Sequence, residues 1–208
     1  MKLKLIKPLT ILTIAVCSAS SAFGNAMPGN PGFEDYSWSV WPWANYGATT
    51  SIEANPANVF SGSYSARVDS DGTAFTGITQ DIWTLVPADL QLEYTVTAHA
   101  LVAAGEKFDL RLGLFEWDNG VNGYVSTQTS PWVTVAPENG WVTLSANLTM
   151  TSPDTDAFSF VVQSASWFGP GTFYVDATSI QVVPEPSVMA LGLMGGIGMF
   201  AMIRRRHA

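Results

Sequence analysis

Eight tryptophans give this chain its main capacity for binding chemistry. Flat aromatic rings stack on the C–H faces of sugars while nearby polar groups fix the hydroxyls, so exposed tryptophans favour glycan binding. Trp41 and Trp43 lie in one loop-like stretch, and Arg111, Phe115 and Trp117 share one face of a predicted strand. We expect these five residues to form a ligand-binding surface. The alternative for each is packing in the core or at its rim.

Two carboxylates near the ends of the body form a second candidate site. Glu34 and Asp176 come together if the first and last strands of a β-sandwich are neighbours. Calcium is a hard cation that takes about six to eight oxygen ligands, mainly carboxylates and backbone carbonyls. We expect Glu34 and Asp176, with the carbonyl of Gly32, to be able to hold a structural Ca²⁺. The alternative is that Glu34 caps a turn and Asp176 accepts backbone amides.

Residues that usually carry catalysis are sparse. Cys17 is the only cysteine and lies in the apolar N-terminal run, and His99 is the one histidine between residues 27 and 183. No serine–acid motif surrounds His99, and the His-Glu-x-x-His spacing of metal hydrolases is absent. The carboxylates leave room for a glycosidase pair, whose separation a sequence does not show. We expect a protein that is not an enzyme, with a polysaccharide-degrading enzyme as the least favoured alternative.

The body is strongly acidic. Between residues 27 and 183, three basic residues (Arg67, Lys107 and Arg111) stand against sixteen Asp and Glu, a net charge of −13. Such a surface repels nucleic acid, so we expect no nucleic-acid partner.

Short strands are the elements that must position these side chains. Polar and apolar residues alternate with a period of two, which indicates strands with one buried face. Phe108, Leu110, Leu112 and Leu114 share one face of such a run. Runs of this kind cover 91–99, 107–115, 141–148, 158–162 and 172–183. Turn signals separate them, so the sequence predicts an all-β, antiparallel jelly-roll sandwich over 25–183.

Several short motifs in the body resemble landmarks of galactose-binding-like jelly rolls, which include families of carbohydrate-binding modules. Residues 30–34 (Asn-Pro-Gly-Phe-Glu) resemble their opening, residues 61–68 their next landmark, and residues 174–176 (Tyr-Val-Asp) their last strand. The resemblance implies a jelly-roll fold and carbohydrate binding. It also implies that Glu34 and Asp176 ligate a structural calcium ion, as the matching residues do in those modules.

The N-terminus is organised as a signal peptide rather than as part of the fold. Residues 1–24 contain three lysines, then the short apolar stretch 9–16, then small residues. This order is that of a secretory signal, which implies export through the Sec translocon. The apolar stretch is too short to span a bilayer, which takes about 20 residues.

The C-terminus carries a different kind of signal. Pro184, Glu185 and Pro186 precede the uncharged residues 188–203, a predicted transmembrane helix of roughly 24 Å. Arg204, Arg205 and Arg206 follow as a basic stop that would face the cytoplasm.

Residues 184–208 as a whole resemble the PEP-CTERM sorting signal of Gram-negative bacteria. The resemblance implies recognition and cleavage by an exosortase after transient anchoring in the inner membrane. It also implies a final place on the cell surface or in an exopolysaccharide-rich biofilm matrix.

Together these features predict an exported surface or matrix protein whose non-catalytic sandwich binds polysaccharide. A purely structural matrix protein without a ligand is the main alternative.

Overall fold

The all-β, two-sheet antiparallel sandwich predicted from the alternating pattern is confirmed. The computed structural model describes residues 28–72, 75–82, 93–118, 123–152, 155, 157–165, 167 and 169–183. Asn25–Val182 form one compact unit. The predicted signal peptide (1–24) and sorting signal (184–208) lie outside the described residues. Among the residues that the structure describes, no helix is both long and apolar enough to cross a membrane.

Eleven strands are seen in the described ranges. They are β1 (Ala44–Tyr46), β2 (Thr49–Glu53), β3 (Ser65–Asp71), β4 (Thr76–Ile82), β5 (Glu93–Val102), β6 (Phe108–Asp118), β7 (Gly123–Thr129), β8 (Val133–Val135), β9 (Val142–Thr149), β10 (Ala157–Ser164) and β11 (Pro170–Val182). Single 3₁₀ turns occur at Pro56–Asn58 and Pro137–Asn139.

The strands form two sheets, which we call the front and back sheets. The front sheet has the order β1-β4-β10-β6-β7, with β8 also paired to β6. The back sheet has the order β2-β3-β11-β5-β9. Neighbouring strands pair antiparallel in both sheets.

The core lies between the sheets and follows the alternation of the sequence. On β6, Phe108, Leu110, Leu112 and Leu114 are buried, whereas the intervening Arg111 is only half-buried. Every second residue of β5, from Tyr94 to Val102, is buried as well. Burying a side chain of this size stabilises the fold by about 1.5–3 kcal/mol, so this alternation fixes which faces look outward.

A bulge in β11 brings the start of the domain to its last strand. The register of β11 against β5 shifts between Asp176 and Ser179, and Ala177 has a φ of 45°. An extra residue at this point re-aims the side chains that follow. The backbone N–H and the hydroxyl of Thr178 both donate to the carbonyl of Pro31, at 2.9 and 3.1 Å. The segment around Pro31 is thereby held beside Asp176.

Candidate functional site

The outer face of the front sheet carries a row of polar and aromatic side chains. Arg111, Phe115 and Trp117 lie on the face of β6 opposite its buried leucines. On the neighbouring strand β10, Gln163 is directly opposite Arg111 and Ser159 is directly opposite Phe115. Because directly opposite residues share a face, Gln163 and Ser159 also belong to this face, although both are buried.

Hydrogen bonds fix the side chains of this face at one end. The indole N–H of Trp117 donates to the Ser159 hydroxyl at 2.8 Å, and that hydroxyl donates to Asp81 Oδ1 at 2.6 Å. The Trp117 ring also meets Tyr124 of β7 edge-on, with ring centroids 5.8 Å apart. The Trp117 ring is therefore held in one orientation, while Tyr124 is exposed.

Arg111 marks the other end of the face. Its Nε donates to Gln163 Oε1 at 2.7 Å, and its guanidinium carbon lies 4.2 Å from the ring centroid of Trp132 and 5.3 Å from that of Phe75. Cation–π contacts of this kind hold a guanidinium against aromatic rings. Partial burial lowers the pKa of Arg111, which nevertheless stays charged at physiological pH.

Further rings lie next to the Arg111 group and in the middle of the face. Trp167 is exposed, meets Trp132 edge-on at 5.3 Å, and donates from its indole to Asp109 Oδ2 at 3.0 Å. In the middle of the face, Tyr46 of β1 packs edge-on against Phe115, with centroids 5.6 Å apart. Aromatic side chains from both edges of the sheet and from its centre thus share one surface.

Glu116 lies between Phe115 and Trp117 but is buried on the opposite side of β6. Its Oε1 accepts from the Ser126 hydroxyl at 2.7 Å, and its Oε2 from the Thr155 hydroxyl at 2.7 Å. Burial works to raise the pKa of Glu116, but hydrogen bonds from these hydroxyls and from the amides of Ser152 and Thr151 outweigh it and hold the pKa below its ordinary value. The carboxylate ties the β9–β10 loop to the strand that carries the site.

The structure corrects one predicted binding residue. Trp43 is only 4% exposed, and its ring packs against Phe33 and Phe160 in the core. Its indole N–H donates to the carbonyls of Gly29 and Asn30. A ring enclosed in this way cannot stack on a ligand. Trp41, by contrast, is exposed, and it packs against Tyr36 of its own loop.

The three residues predicted to hold calcium lie together. A Cβ built on Gly32 would be 3.8 Å from both Asp176 Oδ1 and the Cγ of Glu34. The fully buried Asp176 accepts the amides of Phe60 and Ser61 on Oδ2 and of Ala177 on Oδ1. Burial is the main cause that raises the pKa of Asp176, and the nearby charge of Glu34 raises it further.

Glu34 anchors the same loop from the other side. Its Oε1 accepts the amides of Ser63 and Tyr64 at 2.8 and 2.9 Å. Both carboxylates thus accept backbone amides, as the alternative interpretation expected. Within the described ranges, no group of three or more Asp, Glu, His or Cys side chains gathers as a metal site. A cation here would need backbone carbonyls or water for its remaining ligands.

Sequence reasoning missed several residues of the front face. Phe75 lies just before β4, Trp132 lies just before the short strand β8, and Tyr46 lies on an edge strand of three residues. None of them falls in a run with clear alternation. Their aromatic character was the only signal available, and it does not distinguish face from core.

A two-sheet antiparallel sandwich with ordered rings and hydrogen-bonding groups on one outer sheet face has the architecture of a β-sandwich binding module. Residues 26–170 match the family described as "Carbohydrate binding domain". The chain belongs to this family. No curated protein matches the sequence.

Three solved structures illustrate the shared fold. The CBM22-1 xylan-binding domain of Paenibacillus barcinonensis Xyn10C is 16% identical, with a TM-score of 0.57 over 73% of this chain and 91% of that one. The C-terminal family 22 carbohydrate-binding module of Clostridium thermocellum Xyn10B is 22% identical, with a TM-score of 0.56 over 76% and 94%. The Stig cyclase Fisc of Fischerella sp. TAU is 13% identical, with a TM-score of 0.57 over 77% and 99%. Since one of the three is a cyclase, similarity of fold does not by itself determine activity.

Proposed function

We propose that this chain is a non-catalytic polysaccharide-binding module and that it binds its ligand on the outer face of the front sheet. The observation that carries the proposal is the row of rings on that face, held by the Trp117–Ser159–Asp81 hydrogen bonds at one end and grouped around Arg111 at the other. Membership of a carbohydrate-binding family supports the same function.

The dimensions of the face favour a chain of sugars over a single sugar. Arg111 and Trp117 are six residues apart on β6, and at about 3.3 Å per residue this separation is roughly 20 Å. Rings at both ends can stack on sugar faces, while Arg111 at one end and the exposed Asp81 at the other can hydrogen-bond to hydroxyls. Because these side chains are ordered before binding, little conformational entropy is lost when the ligand binds.

We further propose a structural role for Ca²⁺ at Glu34 and Asp176. Two carboxylates that share a site repel each other, and a divalent cation removes that repulsion. Glu34 and Asp176 would supply carboxylate oxygens and Gly32 its carbonyl. The ion would stabilise the loop at residues 60–64, which both carboxylates already bind through its amides.

Export and sorting complete the proposal. The signal peptide would direct the chain to the Sec translocon, and the Pro-Glu-Pro tail would hold it in the inner membrane of a Gram-negative bacterium until an exosortase cuts it. The sandwich would then reside on the cell surface or in the exopolysaccharide matrix. The order of motifs in 1–24 and 184–208 supports this route.

Retention of the full chain on insoluble polysaccharides, including the exopolysaccharide of the producing cells, tests binding at the face. Trp132→Ala removes a ring that lies beside Arg111, and we expect about two- to tenfold weaker retention, since a ring contact contributes about 0.5–1.5 kcal/mol. Phe60→Ala is the matched control, because Phe60 is an exposed ring that stacks on His99 of the back sheet.

Two results would contradict the proposed binding function. If the wild-type chain is retained on no glycan, the structural alternative replaces binding. If incubation releases reducing or unsaturated sugar ends, the chain is an enzyme.

A further inference from the structure

The loop between residues 35 and 41, which we call the aromatic loop, carries three aromatic rings that contact one another. Trp38 is 78% exposed and Trp41 is 60% exposed. Tyr36 meets both edge-on, with centroids 5.6 Å from Trp38 and 5.7 Å from Trp41. Large apolar side chains grouped on the surface of a soluble domain mark an interaction site, because their exposure contributes nothing to the stability of the fold.

The aromatic loop is built into the domain rather than loosely attached to it. Asn30 is buried, its side-chain amide donates to the carbonyl of Trp41 at 3.1 Å, and its Oδ1 accepts the amide of Asp35 at 3.0 Å. One side chain therefore holds both ends of the loop. The Ser39 hydroxyl accepts the amide of Trp41 at 3.1 Å, and Val40 is buried in the core. Rings displayed by such a loop are preorganised for a partner.

Charge and composition favour a neutral glycan as that partner. Residues 28–66, which include the loop, contain no lysine or arginine, and the first basic residue after the loop is Arg67. Two acidic residues, Glu34 and Asp35, lie at the start of the loop. Anionic lipids and acidic polymers are repelled by such a surface. The loop carries the Ser37 hydroxyl and the Asp35 carboxylate as well as two exposed indoles, and sugar recognition requires both stacking platforms and hydrogen-bonding groups.

We propose that the aromatic loop is a second glycan-binding surface, which takes neutral polysaccharide by stacking on Trp38 and Trp41. Its rings contact one another, whereas the front-face rings contact Arg111, Phe115 and Tyr124. Two surfaces on one domain bind a polymer with an apparent affinity above that of either alone. The chain would therefore bind extended or insoluble polysaccharide more tightly than short soluble oligosaccharides.

Retention of the full chain on cellulose, xylan and mannan tests the proposal. The double variant Trp38→Ala/Trp41→Ala is expected to weaken retention on at least one of them about tenfold or more, by loss of the second contact. Phe60→Ala should leave retention unchanged. Trp38→Ala alone replaces the most exposed ring and keeps the test valid if the double variant does not fold.

Comparison with Trp132→Ala separates this proposal from binding at the front face. If only the loop variants lose retention, the second surface stands and the front-face site fails. If only Trp132→Ala loses retention, the front face stands and the aromatic loop is not a glycan site. The proposal is also overturned if the double variant keeps full retention on all three polysaccharides but loses binding to phosphatidylcholine vesicles. That result would make the loop a membrane contact.

Discussion

Replacing Glu116 by glutamine would remove the charge that holds the β9–β10 loop against β6. Oε1 accepts the Ser126 hydroxyl and the amide of Thr151, and Oε2 accepts the Thr155 hydroxyl and the amide of Ser152. A glutamine keeps one acceptor oxygen and puts an NH₂ group in place of the other. The hydroxyls can turn to accept from this NH₂, but a backbone N–H can only donate.

With the new NH₂ in the place of Oε2, the amide of Ser152 loses its acceptor. With the NH₂ in the place of Oε1, the amide of Thr151 keeps only its bond to Oε2, at 3.3 Å, and faces a second donor where it had an acceptor at 3.2 Å. Loss of a hydrogen bond to a charged group at a buried site costs about 1.5–3 kcal/mol, so we expect Glu116→Gln to lower the free energy of unfolding at pH 7 by about 2 kcal/mol. For a domain of this size, that corresponds to a fall in Tm of about 4–8 °C. Thermal unfolding followed by circular dichroism measures the shift.

The difference should depend on pH. The folded-state pKa of Glu116 lies below its ordinary value, so its ionised form stabilises the fold above about pH 4.3, and this contribution is lost as pH falls through the folded-state pKa. Wild type and variant should therefore converge in acid. Glu138→Gln, at an exposed 3₁₀ turn, is the control and should change stability by less than about 0.5 kcal/mol. A difference that is the same at pH 7 and pH 3, or no difference at pH 7, would refute the reasoning.

Three further predictions concern the core and the carboxylate pair. Trp43→Ala should destabilise the domain by about 3–5 kcal/mol in denaturant unfolding, because it leaves a cavity beside Phe33; a change below 1 kcal/mol would mean that the ring is not enclosed. Gly62→Ala should lower Tm, since Gly62 has a φ of 74° and an added Cβ would overlap the Glu34 carboxylate; an unchanged Tm would contradict this geometry. Calcium at about a hundredfold excess over Kd should raise stability by about 2.7 kcal/mol, and Asp176→Asn should abolish that increase; a Tm indifferent to both calcium and chelator would remove the proposed ion.

Regular elements were predictable because a strand imposes a period of two on its side chains. The buried leucines of β6 and the opposite placement of Arg111, Phe115 and Trp117 both follow from that period. Glu34, Gly32 and Asp176 come together as expected, but not through neighbouring first and last strands. β1 lies in the front sheet and β11 in the back sheet, and it is the segment around Pro31, before β1, that bonds to β11. Their ability to hold calcium stays a prediction.

Loop residues were not predictable in the same way. Trp41 and Trp43 are two positions apart, yet one is exposed and the other is enclosed. The difference comes from carbonyls of Gly29 and Asn30, which reach the Trp43 indole from at least thirteen residues away. Likewise, Phe75 and Trp132 approach Arg111 from separate segments, through a strand pairing that no local pattern encodes.

The position of the two last strands has a consequence for how the chain folds. β10 lies between β4 and β6 in the front sheet, and β11 lies between β3 and β5 in the back sheet. Neither sheet can complete its strand pairing until residues near the C-terminal end of the domain are available. Contacts between residues so far apart in sequence make folding slow. A chain that crosses a membrane from its N-terminus would keep β3, β4, β5 and β6 with unpaired edges until β10 and β11 emerge. Late assembly would keep such a chain unfolded while it crosses, but it would leave the emerging strands open to aggregation until the last one arrives.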